Sequence, residues 1–181
     1  MRRIGWITAA LGSAALVSAV VAQGVASAAP SHPSDQGNGN GATVLRFDTM
    51  TPVTGPYVGA ANPLRGIPGG GLPWMIREGR GSLDKRGRLD VRVRGLVLAN
   101  NPAVPAALRG TNPIPAFDAV VSCQSIGADG SATVSNVVTA TAPATPTGNA
   151  EIRATVQLPQ PCIAPVIFVG PPGAWFAATG S

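Results

Sequence analysis

Two cysteines, one histidine and a scatter of carboxylates bound the chemistry open to this 181-residue chain. The histidine, His32, stands in a polar, turn-forming stretch, "APSHPSDQGNGNG", residues 29–41. No well-placed imidazole therefore exists to activate a serine or cysteine nucleophile, and no site can draw on two histidine ligands. A cation held by oxygen needs clustered carboxylates, and no Asp-rich loop with EF-hand spacing occurs. Asp48, Glu78, Asp84, Asp90, Asp118, Asp129 and Glu151 are spread along the chain. A pair of them would have to converge from separate elements to hydrolyse a glycoside. "GIPGGGLPW", residues 66–74, lacks a Lys-Ser/Thr pair and a following helix, so it reads as a loop entering a strand at Trp74 rather than a phosphate cradle. The sequence points to no catalytic residue, metal or cofactor.

Two features point to binding. Residues 77–94 hold seven basic side chains, Arg77, Arg80, Lys85, Arg86, Arg88, Arg92 and Arg94, against the acids Glu78, Asp84 and Asp90. On an exported protein such a local positive field can meet an anionic wall polymer or phospholipid headgroups. The competing reading is an exposed sheet face whose arginines pair across strands with those acids and discourage edge aggregation. Tyr57, Trp74 and Trp175 are candidates for a sugar-stacking platform, although large aromatics more often fill a core. Trp175 and Phe176, adjacent on a strand, must point to opposite faces.

The elements that position these residues follow from a period of two. After residue 28 no stretch sustains an apolar stripe at helical spacing, whereas several runs alternate as half-buried strands do. In "TVLRFDTM", residues 43–50, Leu45 and Phe47 alternate with Arg46 and Asp48. Residues 51–72 are broken by four prolines and by Gly69-Gly70-Gly71, a long loop with a short edge strand near Tyr57. "WMIREGRGSLDKRGRLDVRVRGLVL", residues 74–98, predicts two paired strands about a turn at Asp84-Lys85-Arg86-Gly87, with Gly87 at positive φ. Leu89, Val91 and Val93 face inward and Asp90, Arg92 and Arg94 outward, and Gly95 marks a bulge or bend. "AFDAVVSC", residues 116–123, places Phe117, Ala119, Val121 and Cys123 on one side. A further strand lies near residues 132–140. In "AEIRATVQL", residues 150–158, Ala150, Ile152, Ala154, Val156 and Leu158 point inward. "APVIFVG" and "AWFAATG", residues 164–170 and 174–180, close the sheet. Seven or eight short strands joined by turns define an all-β chain, an antiparallel β-sandwich with an immunoglobulin-like form of it in view and a partly open barrel as the alternative.

The first 28 residues carry two arginines, an apolar stretch near residues 7–21 and the small-x-small triplet Ala26-Ser27-Ala28, an export signal cleaved near Ala28. Arg2-Arg3 lacks the bulky apolar pair that usually follows a twin arginine, which favours the general secretory route. The expected order is signal 1–28, flexible leader 29–41 and one β-domain, 42–181. Without Arg2 and Arg3 the basic residues fall from 13 to 11 against 8 acids, too small an excess to suggest nucleic-acid binding. Pro161, Pro165, Pro171 and Pro172 interrupt the apolar tail, so no transmembrane anchor is expected in the mature chain. In an oxidising compartment the pair Cys123 and Cys162 is expected to form a disulfide.

The signal together with "GRLDVRVRGLVL", "NPIPAFDAVVSC" and "LPQPCIAPVIFVGPPGAWFAATG" resembles a family of secreted proteins of high-GC Gram-positive bacteria that has no assigned activity. The resemblance implies export and transfers no site residue. The expectation is a secreted, non-enzymatic binding or structural module at or outside the cell envelope. Its expected partner is an anionic wall polymer or another envelope component, with a carboxylate-dependent hydrolase as the contrasting possibility. Nothing in the sequence sets its oligomeric state.

Overall fold

The computed structural model describes residues 41–179. The signal and all but the last residue of the expected leader lie outside the described residues. Twelve strands run in chain order: β1 (Thr43–Phe47), β2 (Met50–Pro52), β3 (Trp74–Met75), β4 (Glu78–Asp84), β5 (Arg88–Arg94), β6 (Val97–Leu98), β7 (Ala116–Ile126), β8 (Ala132–Val138), β9 (Ala142–Pro143), β10 (Ala150–Thr155), β11 (Ile163–Gly170) and β12 (Ala177–Thr179). Seven of them have five or more residues, which is the alternation the sequence displays; the two- and three-residue strands are too short to show a period. At Tyr57 a 3-10 turn, Gly55–Tyr57, replaces the expected edge strand, because Pro56 supplies a helical φ and removes a ladder donor. The edge role falls to β2 instead.

Two antiparallel sheets pack face to face. One, sheet A, has the order β1-β4-β5-β10, and the other, sheet B, the order β2-β12-β11-β7-β8 with β9 beside β7. The sheets do not close into a barrel. Lettering the seven long strands A to G gives ABCF in one sheet and EDG in the other, whereas an immunoglobulin domain has ABED and CFG. The immunoglobulin-like form is therefore not the one adopted. The core lies between Leu83, Leu89, Val91, Val93 and Ile152 of sheet A and Phe117, Ala119, Val121, Ile167 and Val169 of sheet B, all buried.

The β4–β5 hairpin turns where its sequence predicts. Asp84 Oδ1 accepts the amides of Arg86 and Arg88 at 2.8 and 3.0 Å, and Gly87, at φ +78°, donates to Asp84 O at 3.0 Å. A Cβ at Gly87 would stand 1.8 Å from Val156 O, so the turn needs glycine twice over. Trp74 does not open β4. Its short strand β3 pairs with β6, Trp74 opposite Leu98, beyond a break at Gly95, whose φ is +64°.

Sheet B departs from the expected single buried side. Every residue of 117–123 on β7 is buried, including Asp118, Val120 and Ser122 on the face away from the core. The proline-rich segment 53–73 lies over that face. Gly70 donates to Trp175 O at 2.9 Å, Trp175 donates to Pro68 O at 3.0 Å, and the Trp175 and Phe168 rings meet at 5.8 Å. Arg65, at φ +50°, straps the segment down by donating to Ser122 O at 3.0 Å and Ala164 O at 2.8 Å. Asn136 of β8 donates back to Arg65 O at 3.0 Å. A strand covered on both faces reads as a continuous apolar run, as "FDAVVSC" nearly does.

Cys123 and Cys162 are bonded, with 4.9 Å between their Cα atoms. The bridge joins β7 to the residue preceding β11, beside an irregular register between Ile163 and Val166.

A candidate anion-binding face

The outward positions of sheet A form cross-strand rows. Arg46, Ser82, Asp90 and Arg153 lie opposite one another across β1, β4, β5 and β10. The next row along contains Arg80, Arg92 and Glu151. The period of two that sends Leu83, Val91 and Ile152 into the core sends these side chains outward. All of them but Glu151, together with Asp48, Phe47 and Gly81, line an open groove of about 480 Å³. A smaller hollow of about 170 Å³ adjoins it along Arg92, Arg94, Asn149 and Glu151.

The groove sets four guanidiniums against two carboxylates, Asp48 and Asp90. Arg153 Nε donates to Asp90 Oδ2 at 2.9 Å and its Nη2 lies 3.6 Å from Glu151. Arg92 Nη2 meets Glu151 at 2.7 Å. Arg80 Nε lies 3.0 Å from Glu78 Oε1, yet that oxygen accepts no hydrogen bond among the described residues, so the contact is an ion pair with the N–H aimed elsewhere. Arg46 has no ion pair among the described residues. Exposed pairs of this kind each contribute roughly 0–1 kcal/mol, so they shape the field more than they stabilise the fold.

Of the seven basic residues singled out in the sequence, Arg80 and Arg92 enter the groove. Arg94 lines only the smaller hollow, Arg77 is exposed before β4, and Lys85 and Arg86 are exposed in the hairpin turn. Arg88 is bound to Asp84, its Nε 2.7 Å from Oδ2. Desolvation pushes the Asp84 carboxyl up, but the Arg88 side chain and the Arg88 and Arg86 amides outweigh it and hold the group below the usual range. Cross-strand pairing with acids, the competing reading, accounts for part of this face: Arg92 and Arg153 pair across strands, whereas Arg80 and Arg88 pair with acids nearby in sequence. Arg46 and Arg153 were missed because they belong to strands distant in sequence from the hairpin. Their outward phase is legible, but only the order β1-β4-β5-β10 brings them to it.

The aromatic platform does not form. Trp74 and Trp175 are each 3% exposed and occupy different layers, while Tyr57 is exposed on its 3-10 turn. Trp74 stacks on Phe176 at 3.7 Å in the core, where Phe176 also meets Phe117 edge-on, and Trp175 lies against Phe168 beneath segment 53–73. Adjacent Trp175 and Phe176 do point to opposite faces, and both are buried because both faces of sheet B are covered.

The remaining acids are dispersed. Asp129 closes a turn by accepting the Ser131 hydroxyl at 2.7 Å and its amide at 3.0 Å, which hold its carboxyl below the usual range. Asp118 is buried on β7 opposite Gly170 of β11, and burial pushes its carboxyl up. Among the described residues no three of His, Cys, Asp and Glu converge as metal ligands, and no helix is long and apolar enough to cross a membrane. No family model, curated protein or solved structure matches the chain.

Proposed function

We propose that this protein is a secreted, non-enzymatic β-sandwich that binds an anionic polymer at or outside the cell envelope through the outer face of sheet A. The observation that carries the reading is the convergence of Arg46, Arg80, Arg92 and Arg153 on one groove from four adjacent strands. A rigid sheet holds the four cations in fixed rows, so an anion meets donors that are already placed. Export is supported by the signal-like residues 1–28 and by the disulfide, which belongs to an oxidising compartment. Hydrolysis by two carboxylates is less well supported. A general acid needs a carboxyl pushed up by its surroundings, and the one so pushed among the described residues, Asp118, is buried in sheet B away from the groove.

Binding to a cell-wall fraction, measured by co-sedimentation across a salt series, tests the proposal. Retention should fall as salt rises and should be abolished in the triple variant R46Q/R80Q/R92Q. Retention that ignores both salt and these substitutions would refute it.

A further inference from the structure

The arrangement inside the groove narrows the anion. Arg80 lies directly opposite Arg92, and Arg46 directly opposite Ser82, while Ser82 follows Arg80 by two residues on the same face of β4. Like charges directly opposite in an antiparallel pair destabilise it, with Cβ atoms about 5 Å apart. No shared acid relieves this opposition. Glu151 meets Arg92 at Nη2, Glu78 Oε1 lies 3.0 Å from Arg80 Nε without accepting its hydrogen bond, and Arg46 and the Ser82 hydroxyl have no hydrogen-bond or ion-pair partner among the described residues. Three guanidiniums, with the Asp90 carboxylate directly opposite Ser82, thus border one hydroxyl and keep most of their donors uncommitted, a geometry that a tetrahedral oxyanion satisfies through paired N–H···O contacts.

The acids decide which oxyanion. Asp48 and Asp90 line the same groove and Glu151 stands at its edge, so closely spaced negative charges meet repulsion on either side of the arginines and a polymer is held here by one charged group at a time. The four guanidiniums face Asp48 and Asp90 in the groove and Glu151 and Glu78 at its margin, so the site suits a group that both accepts from guanidiniums and donates to a carboxylate, as a singly ionised phosphomonoester does. Its remaining P–O–H can donate a hydrogen bond to Asp48 or Asp90, whereas a sulfate or a phosphodiester has no such donor. Resting on the reading of this face as anion-binding, we infer that Arg46, Arg80 and Arg92 grip one isolated phosphomonoester over Ser82.

Chemical-shift titration of the labelled protein with glycerol phosphate, a glycerophosphodiester, sulfate and acetate tests this. Glycerol phosphate should bind tightest, with shifts centred on Arg46, Ser82 and Arg92. Affinity should fall about tenfold or more in R80Q/R92Q, and R109Q, outside the groove, should leave it unchanged. Should R80Q/R92Q fail to fold, R46Q and S82A must weaken binding instead. Equal binding of acetate, or affinity insensitive to all of these changes, overturns the inference. Phosphatase treatment of the wall fraction separates it from the broader reading. Loss of retention supports the monoester, and undiminished retention that R46Q/R80Q/R92Q still abolishes overturns the monoester while leaving polymer binding in place. Capture by phosphatidylcholine vesicles only when they contain phosphatidic acid, with no retention by wall polymer, supports the grip and overturns the polymer as its source.

Discussion

Reduction of the Cys123–Cys162 bridge is a clean perturbation, since these are the only two cysteines of the chain and no other atom changes. The bond closes a loop of 39 residues that contains β8, β9 and β10, so it ties strands of both sheets to the β7–β11 pair. Loop entropy for that separation amounts to about 4 kcal/mol at 25 °C, against a total stability of roughly 5–15 kcal/mol for a domain of this size. Urea unfolding followed by tryptophan fluorescence, with and without reductant, reads the difference. With a denaturant slope near 2 kcal/mol per molar, the midpoint should fall by about 2 M on reduction. The slope should rise as well, because the uncrosslinked denatured chain exposes more surface. A loss under about 1 kcal/mol with an unchanged slope would refute the argument that the bridge acts by restricting the unfolded chain.

Other substitutions separate the remaining claims. Trp74→Ala should cost about 3–5 kcal/mol and Tyr57→Ala within about 0.5 kcal/mol in the same assay, since one ring is stacked in the core and the other is exposed. Gly87→Ala should destabilise by about 2 kcal/mol or more, because it combines a left-handed backbone with a clash against Val156 O. Asp118→Asn should stabilise the protein at neutral pH. The folded carboxyl is pushed above its ordinary 3.8, so the penalty of burying its charge is present above the folded value and absent below 3.8. Asp84 and Asp129, held low, add stability as pH rises and do so in both proteins. Thermal melts across pH should therefore show the variant's advantage over wild type growing as pH rises through that window and vanishing below 3.8.

Much of the fold was legible because inward and outward residues alternate on strands of five residues or more, and because the turn at Asp84–Gly87 is written in local chemistry. The pairing of Cys123 with Cys162 followed from compartment and number. The burial of Val120 and Ser122 was not legible, since no local pattern says that a proline-rich loop distant in sequence will fold back over β7. The candidate groove was half legible for a related reason. Phase puts Arg46 and Arg153 on an outer face, but which strands become neighbours is settled by how the whole core closes. The two indoles followed the same rule, for Trp74 and Trp175 are buried by elements that meet only in three dimensions.

The order β2-β12-β11 has a kinetic consequence. β12, made of Ala177–Thr179, sits between a strand from the start of the domain and one near its end, while β10 completes the other sheet from the same late part of the chain. Neither sheet can be finished from the first half of the sequence. A chain delivered from its N-terminus therefore stays without its final pairing until these last strands arrive, and folding then proceeds on the order of milliseconds to seconds, as non-local β topologies do. On the export proposed above, late closure would leave the domain unpaired and threadable while β1 to β9 pass.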